Sequence, residues 1–151
     1  MGTDRLSYLI SNEQNQVLAL RSYQLSSLPN ESPLKQVLIE DSILRAKYRS
    51  VRAGLFSPKF SLMPLSLFNK EEAEVYLQQT TNLGAKDQIS FDEIDSLKAA
   101  NVYAFEIAYI RDFQEHFPDT SFCHVSTGLI NNFIHNFDSS SSKNIFLNIY
   151  D

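Results

Sequence analysis

Tryptophan is absent from this chain, cysteine occurs once, and glycine and proline appear only four and five times in 151 residues. Each shortage excludes something. The lone Cys123 rules out an intramolecular disulfide and a thiolate metal cluster, and suits a reducing, cytoplasmic setting. Glycines stand isolated at positions 2, 54, 84 and 128, so the sequence encodes neither a G-x-x-x-x-G-K-[ST] loop nor a G-x-G-x-x-G turn. With so few glycines and prolines, extended irregular polar tracts are expected only at 26–32 and 138–143. No apolar run approaches the roughly 18–20 residues that a bilayer span requires. Charge appears by residue 4, which argues against a secretory leader. The formal charge of −5 argues against general nucleic-acid binding, which needs cations to displace counterions.

What remains is an aromatic-rich globular composition, with eleven Phe and seven Tyr, long enough to bury about 68–70% of its unfolded surface as one domain. Leu6-Ser7-Tyr8-Leu9-Ile10 and the segment from Gln16 to Tyr23 flank a polar stretch, Ser11-Asn12-Glu13-Gln14-Asn15, and read as an opening hairpin. The alternation in its second arm predicts a strand burying much of both faces. The glycine-free loop predicts a connection longer than two residues. Ser32-Pro33 marks a helix start, with Leu34, Val37, Leu38 and Leu44 as its apolar stripe. Strands are expected over 50–55 and 60–63. A second helix is expected from Asn69, with Glu72 completing a capping box and Phe68 stapling against Ala73. Residues 88–94 alternate like a strand at Ile89 and Phe91, with a short helix capped by Ser90 and Glu93 as the alternative, and 101–107 read as a strand rich in branched and aromatic residues. Ile110, Phe113 and Phe117 give helical spacing before Pro118 stops it. A strand at 121–125 leads to a helix with Ser126 as its cap and Leu129, Ile130, Phe133, Ile134 and Phe137 on its buried side. A polar connector at 138–143 and a closing strand at 144–151 follow.

This order, β-β-α-β-β-α-β-β-α-β-α-β, specifies an α/β fold in which helices pack on a mixed sheet. The reading places a domain at 1–143 and treats 144–151 as a terminal strand that starts a second lobe or completes a sheet.

Few constellations carry chemistry. His116, His124 and His135 lack the helical spacing that puts two metal ligands on one face, so no metal site and no cofactor are expected. Ser126, at a strand-to-helix junction after His124, lacks the preceding glycine of a nucleophile elbow, and helix capping is its ordinary role. His124 is left to line a cleft or donate to a backbone carbonyl. Asp87, Asp92, Glu93 and Asp95 miss the mid-loop glycine of a calcium loop and read as a solvated, charged strand edge. Arg45, Lys47, Arg49, Arg52 and Lys59 form the one basic run; if 45–49 is extended, its three cations share a face for an anionic partner.

Phe60-Ser61-Leu62-Met63-Pro64-Leu65-Ser66-Leu67-Phe68, Asn101-Val102-Tyr103-Ala104-Phe105, and Phe117-Pro118 leading to Phe122-Cys123-His124 resemble an uncharacterised family of Bacteroidetes, Domain of Unknown Function 3822. The resemblance implies one lobe of an actin-like ATPase fold, built on a ribonuclease-H-like unit. Such folds hold phosphates with Asp-x-Gly turns between the first two strands of each lobe. Here the first such turn is 11–15, with neither the glycine nor the aspartate. The resemblance therefore implies a non-catalytic binding or assembly module. Its expected partner is a second lobe, or another copy met through the terminal strand. The alternative is a degenerate nucleotide-binding protein or enzyme, using Asn12, Glu13, His124, Ser126 and Thr127 in an interlobe cleft.

Overall fold

A computed structural model of the chain describes residues 4–28 and 32–136. Its elements run in the expected order: β1 (Arg5–Ser11), β2 (Val17–Gln24), α1 (Pro33–Glu40), β3 (Arg52–Leu55), β4 (Phe60–Pro64), α2 (Ala73–Gln78), β5 (Asp87–Ile94), β6 (Ala99–Glu106), α3 (Ile107–His116), β7 (Ser121–His124) and α4 (Val125–Asn136). The strand expected at 144–151 lies outside the described residues. The hydrogen-bonded strands form the pair β1-β2, the pair β3-β7 and the triplet β4-β6-β5. Chain contacts divide into two compact units, the first drawn from Met1–Arg52 and Glu106–Ser121, the second from Ala53–Phe105 and Phe122–Asp151.

The first unit is a hairpin backed by helices. β1 and β2 pair antiparallel, with Leu6 opposite Tyr23 and Leu9 opposite Leu20. Leu6, Tyr8 and Tyr23 turn inward onto a core of Leu25, Leu34, Val37, Leu38 and Leu44, joined by Phe113 and Phe117 from the end of α3. Leu34, Val37 and Leu38 of α1 face this core as amphipathic spacing should, but the helix expected to run to about Ala46 ends at Glu40, and Leu44 joins the core from the turn at 42–45. Ser32 does stand at the cap position of α1, but its hydroxyl makes no capping bond; it donates to Asp112 at 2.6 Å.

β2 departs from expectation, for it does not bury both faces. The register slips between Ile10 and Ser11, so that Ile10 faces Ala19 while Ser11 faces Val17. A one-residue slip exchanges faces, because side chains alternate with period two. Val17 therefore joins Leu20 and Leu9 on the outer face, and Leu18 becomes the extra residue of the bulge. All four are exposed.

The second unit is organised around β6, the middle strand of its triplet, where Ala100 through Ala104 are all buried. Val102 and Ala104 face one way, into a cluster with Ala73 and Leu77 of α2, against which Phe68, Ile89 and Phe91 pack. Phe68 meets that cluster beside Ala73, as the staple predicts. Asn69 accepts the Glu71 amide and opens a single 3-10 turn (Lys70–Glu72) ahead of α2. By alternation, Asn101 and Tyr103 face the opposite way. That face carries the polar cluster.

Candidate functional site

Asn101, Ser126, Thr127 and His124 meet where β6 passes the start of α4. The Asn101 amide nitrogen donates to Ser126 Oγ at 3.0 Å and to Thr127 Oγ1 at 2.9 Å. Ser126 Oγ also lies 2.6 Å from His124 Nδ1, and His124 Nε2 lies 2.9 Å from the Ser57 carbonyl oxygen. With its proton on Nε2, the ring donates to Ser57 and leaves Nδ1 to accept the Ser126 hydroxyl. The ring packs against Phe60 and Tyr103 in tilted contacts, at centroid distances of 4.8 and 5.1 Å. Burial pushes the imidazole below its usual value, only partly offset by the Ser57 bond and the charge of Asp92, so the neutral ring is favoured.

Asp92 of β5 secures this arrangement from behind. One carboxylate oxygen accepts the His124 backbone amide at 2.8 Å, and the other accepts the Tyr103 hydroxyl at 3.1 Å. Ser57, between β3 and β4, donates its hydroxyl to the Ala104 carbonyl and accepts the Lys59 amide. Among the described residues, Asn101 Oδ1 is buried without a hydrogen-bond partner.

Two sequence expectations change here. α4 begins at Val125, so Ser126 lies inside its first turn, and the side chain that receives the Ser126 amide is His124 Nδ1, at 3.2 Å. The imidazole takes the capping role that its neighbour's hydroxyl was expected to fill. The acidic cluster is not a uniformly solvated edge either. Glu93 and Asp95 are exposed, but Asp92 turns into the network. Asp87 pairs with Lys59 and accepts the Gly84 amide, and these bonds, Lys59 first, hold its carboxyl below the usual range.

Asn12 and Glu13 belong to the first unit, in the β1–β2 connection. Asn12 Oδ1 accepts the amides of Gln14 at 3.0 Å and Gln16 at 2.9 Å. The Asn12 amide donates to the Gln16 carbonyl and the Asn15 amide to the Asn12 carbonyl. Asn15 supplies the left-handed residue, φ 59°, in place of a glycine. The backbone donors of Asn12, Gln14, Asn15 and Gln16 are thus bonded within the loop. Glu13 pairs with Arg49 at 3.0 Å, both side chains exposed.

That pair links two predicted sets, since Arg49 belongs to the basic run. The run does not share an extended face: 42–45 form a turn and 46–50 are irregular. Arg45, Lys47 and Arg52 are exposed.

The first unit holds a cluster that the sequence did not reveal. Asp41, at the end of α1, accepts the hydroxyls of Tyr8 at 2.5 Å and Tyr23 at 2.6 Å, the Ile43 amide at 2.9 Å, and Arg21 at 3.1 Å. Burial alone would raise this carboxyl, but the two tyrosines, the amide and the guanidinium together hold it well below the usual range. Burial and the Asp41 bond push Tyr8 up to about 12. The aromatic alternation of β1 and β2 places the two tyrosines; only the tertiary fold brings Asp41 to them. Among the described residues, no group of three or more His, Cys, Asp or Glu is placed to hold a metal ion.

The family described as protein of unknown function (DUF3822) matches residues 1–151. The chain belongs to this family. It is also similar to a crystal structure from Bacteroides thetaiotaomicron VPI-5482, described as a protein with actin-like ATPase fold and unknown function. The TM-score is 0.79 at 24% identity, over 88% of this chain and 52% of that one. This DUF3822 chain therefore has the actin-like ATPase fold and spans about half the length of its solved relative. A search of curated proteins returned no match. No described helix is long and apolar enough to cross a membrane.

Proposed function

We propose that this DUF3822 chain is a non-catalytic binding or assembly module working in the cytoplasm. One observation carries the reading: the β1–β2 connection, where actin-like ATPases present open amides to phosphate, is closed by its own asparagine. A phosphate cradle needs several backbone N–H groups aimed at one anion. Here Asn12 Oδ1 occupies that role, drawing in the Gln14 and Gln16 amides. An incoming phosphate would first have to break both bonds and then meet the Glu13 carboxylate beside them. Titration calorimetry with magnesium-ATP tests this. The reading predicts no binding heat at millimolar nucleotide; a saturable signal overturns it.

A second reading, a degenerate enzyme, draws on the His124–Ser126 pair. A neutral imidazole accepting the Ser126 hydroxyl is the arrangement that activates a serine, and the unpartnered Asn101 oxygen beside it is a free acceptor. Against it, the Asn101 amide already donates to the same hydroxyl, and His124 is fully buried. Exposure to a fluorophosphonate separates the readings: labelling of Ser126 that is lost in His124→Gln would support the enzyme.

A further inference from the structure

We infer that the loop at 42–52 is a docking site for an acidic segment of another polypeptide, which lays its carboxylates on Arg45, Lys47, Arg49 and Arg52. The inference rests on the binding-module reading above and names the chemistry of the partner. No acid interrupts the chain between Asp41 and Glu71, and four of its thirteen Lys and Arg fall within 45–52. Elsewhere nine Lys or Arg stand against eighteen Asp or Glu. An acidic chain thus keeps one stretch of concentrated positive charge, and like charges held this close repel one another. An anionic ligand relieves that repulsion.

The loop is irregular but fixed. The Ile43 amide donates to Asp41 Oδ1 at 2.9 Å, and the Ala46 amide to the Ile43 carbonyl at 3.1 Å. That carbonyl also accepts the Tyr48 hydroxyl at 2.5 Å, and the Tyr48 ring meets Phe117 edge-on. His116 Nε2 donates to the Leu44 carbonyl at 3.1 Å, and the Leu44 side chain is buried in the first unit's core. At the far end the Val51 carbonyl accepts the Ser121 amide. None of these anchors uses Arg45, Lys47, Arg49 or Arg52, which all stand exposed. A docking surface whose backbone is already set loses less freedom on binding.

Arg49 shows what the loop takes. Its guanidinium holds the Glu13 carboxylate at 3.0 Å, with 86 and 74% of the two side chains exposed. Such a pair contributes little stability and exchanges readily for another carboxylate. Among the described residues, Arg45, Lys47 and Arg52 enter no ion pair. Three of the four cations are arginines, whose planar forks grip a carboxylate through two N–H groups. Nucleic acid fits less well. Tyr48, the one aromatic residue of the loop, packs on Phe117 and offers no ring for base stacking. From 45 to 52 the loop extends at most about 23 Å, so a longer polyanion would meet the acidic remainder of the chain.

Fluorescence anisotropy with a labelled decaglutamate peptide tests the assignment. The expected result is saturable binding at about 50 mM salt that weakens several-fold by about 200 mM. Arg45→Glu combined with Lys47→Glu weakens it at least about tenfold, whereas reversal of another exposed cation, Lys86→Glu, leaves it unchanged. Glu13→Gln releases Arg49 and tightens binding about two- to threefold, a gain that a merely solvated run of cations does not predict. A thermal melt checks that each variant folds.

No binding up to about one millimolar peptide overturns the inference. Binding indifferent to the double variant or to Glu13→Gln overturns it as well. Tighter binding of oligothymidylate or of phosphatidylserine vesicles than of decaglutamate overturns it in favour of a phosphate polyanion. None of these results touches the closed β1–β2 connection. That reading fails only on nucleotide binding at the Gln14 and Gln16 amides, so the two failures are distinguishable.

Discussion

Asp41 shows how much one carboxylate can organise. It is buried, yet it carries two tyrosine hydroxyls, a backbone amide and a guanidinium. Replacing it with alanine strands those donors, at a cost of roughly 3 kcal/mol. The same group imposes a pH dependence whose sign follows from its depressed folded value. Its stabilisation is complete above the ordinary aspartate value of 3.8 and is lost as pH falls through the folded one. At the alkaline end Tyr8 behaves oppositely. Its neutral form is favoured, so stability present below the ordinary value of 10.0 is lost as pH rises through about 12. Absorbance titration of tyrosinate should show a late phase in the wild type that moves toward pH 10 in Asp41→Ala.

His124 is the second residue with a readable titration. The fold favours its neutral ring, so its contribution is full above the ordinary value of 6.5 and declines as pH falls through the lower folded value. Melting temperature should therefore start to fall below about pH 6.5, well before the Asp41 phase. His124→Gln should have a lower melting temperature at neutral pH and a flatter profile over the interval just below pH 6.5. A wild-type profile already flat across that interval would contradict the placement of the ring.

At the scale of elements, the β1–β2 connection depends on Asn12. Asn12→Ala removes the acceptor for two amides and should cost about 1 kcal/mol, the usual worth of an exposed hydrogen-bonded turn. Hydrogen exchange at Gln14 and Gln16 should accelerate markedly while the amides of α1 are unaffected. Unchanged protection would mean that Asn12 does not close the loop. The existence and order of these elements were legible because their signals are local: Pro33 at a helix start, Asn69 before Glu72, branched and aromatic residues in β6. The bulge was not legible. Val17-Leu18-Ala19-Leu20 alternates equally well in either register, and only pairing with Ile10 and Ser11 decides which residues face out.

The candidate site was legible in part for similar reasons. His124, Ser126 and Thr127 stood out at a strand-to-helix junction, and the structure does bring them together. Asn101, which joins them, sits within an otherwise apolar strand, and Asp92 sits within an acidic run that looks solvated. Both acquire their roles through contacts with residues more than twenty positions away. Even the cap was misassigned by a single turn of logic: a serine before an apolar helix is the usual acceptor, but here an imidazole reaches the amide first.

For the whole molecule, the actin-like ATPase fold is shared with the solved relative, and the proposed reading turns on an opening connection whose Gln14 and Gln16 amides are bound to Asn12 Oδ1. A fold transmits architecture, while activity resides in the groups placed upon it. The most direct measurement follows the backbone amides of residues 12–16 by solution NMR while magnesium-ATP is added in large excess. A self-closed loop predicts that the Gln14 and Gln16 resonances stay in place. Saturable shifts at those two amides, enhanced in Asn12→Ala, would show that the loop opens to phosphate and would contradict the account.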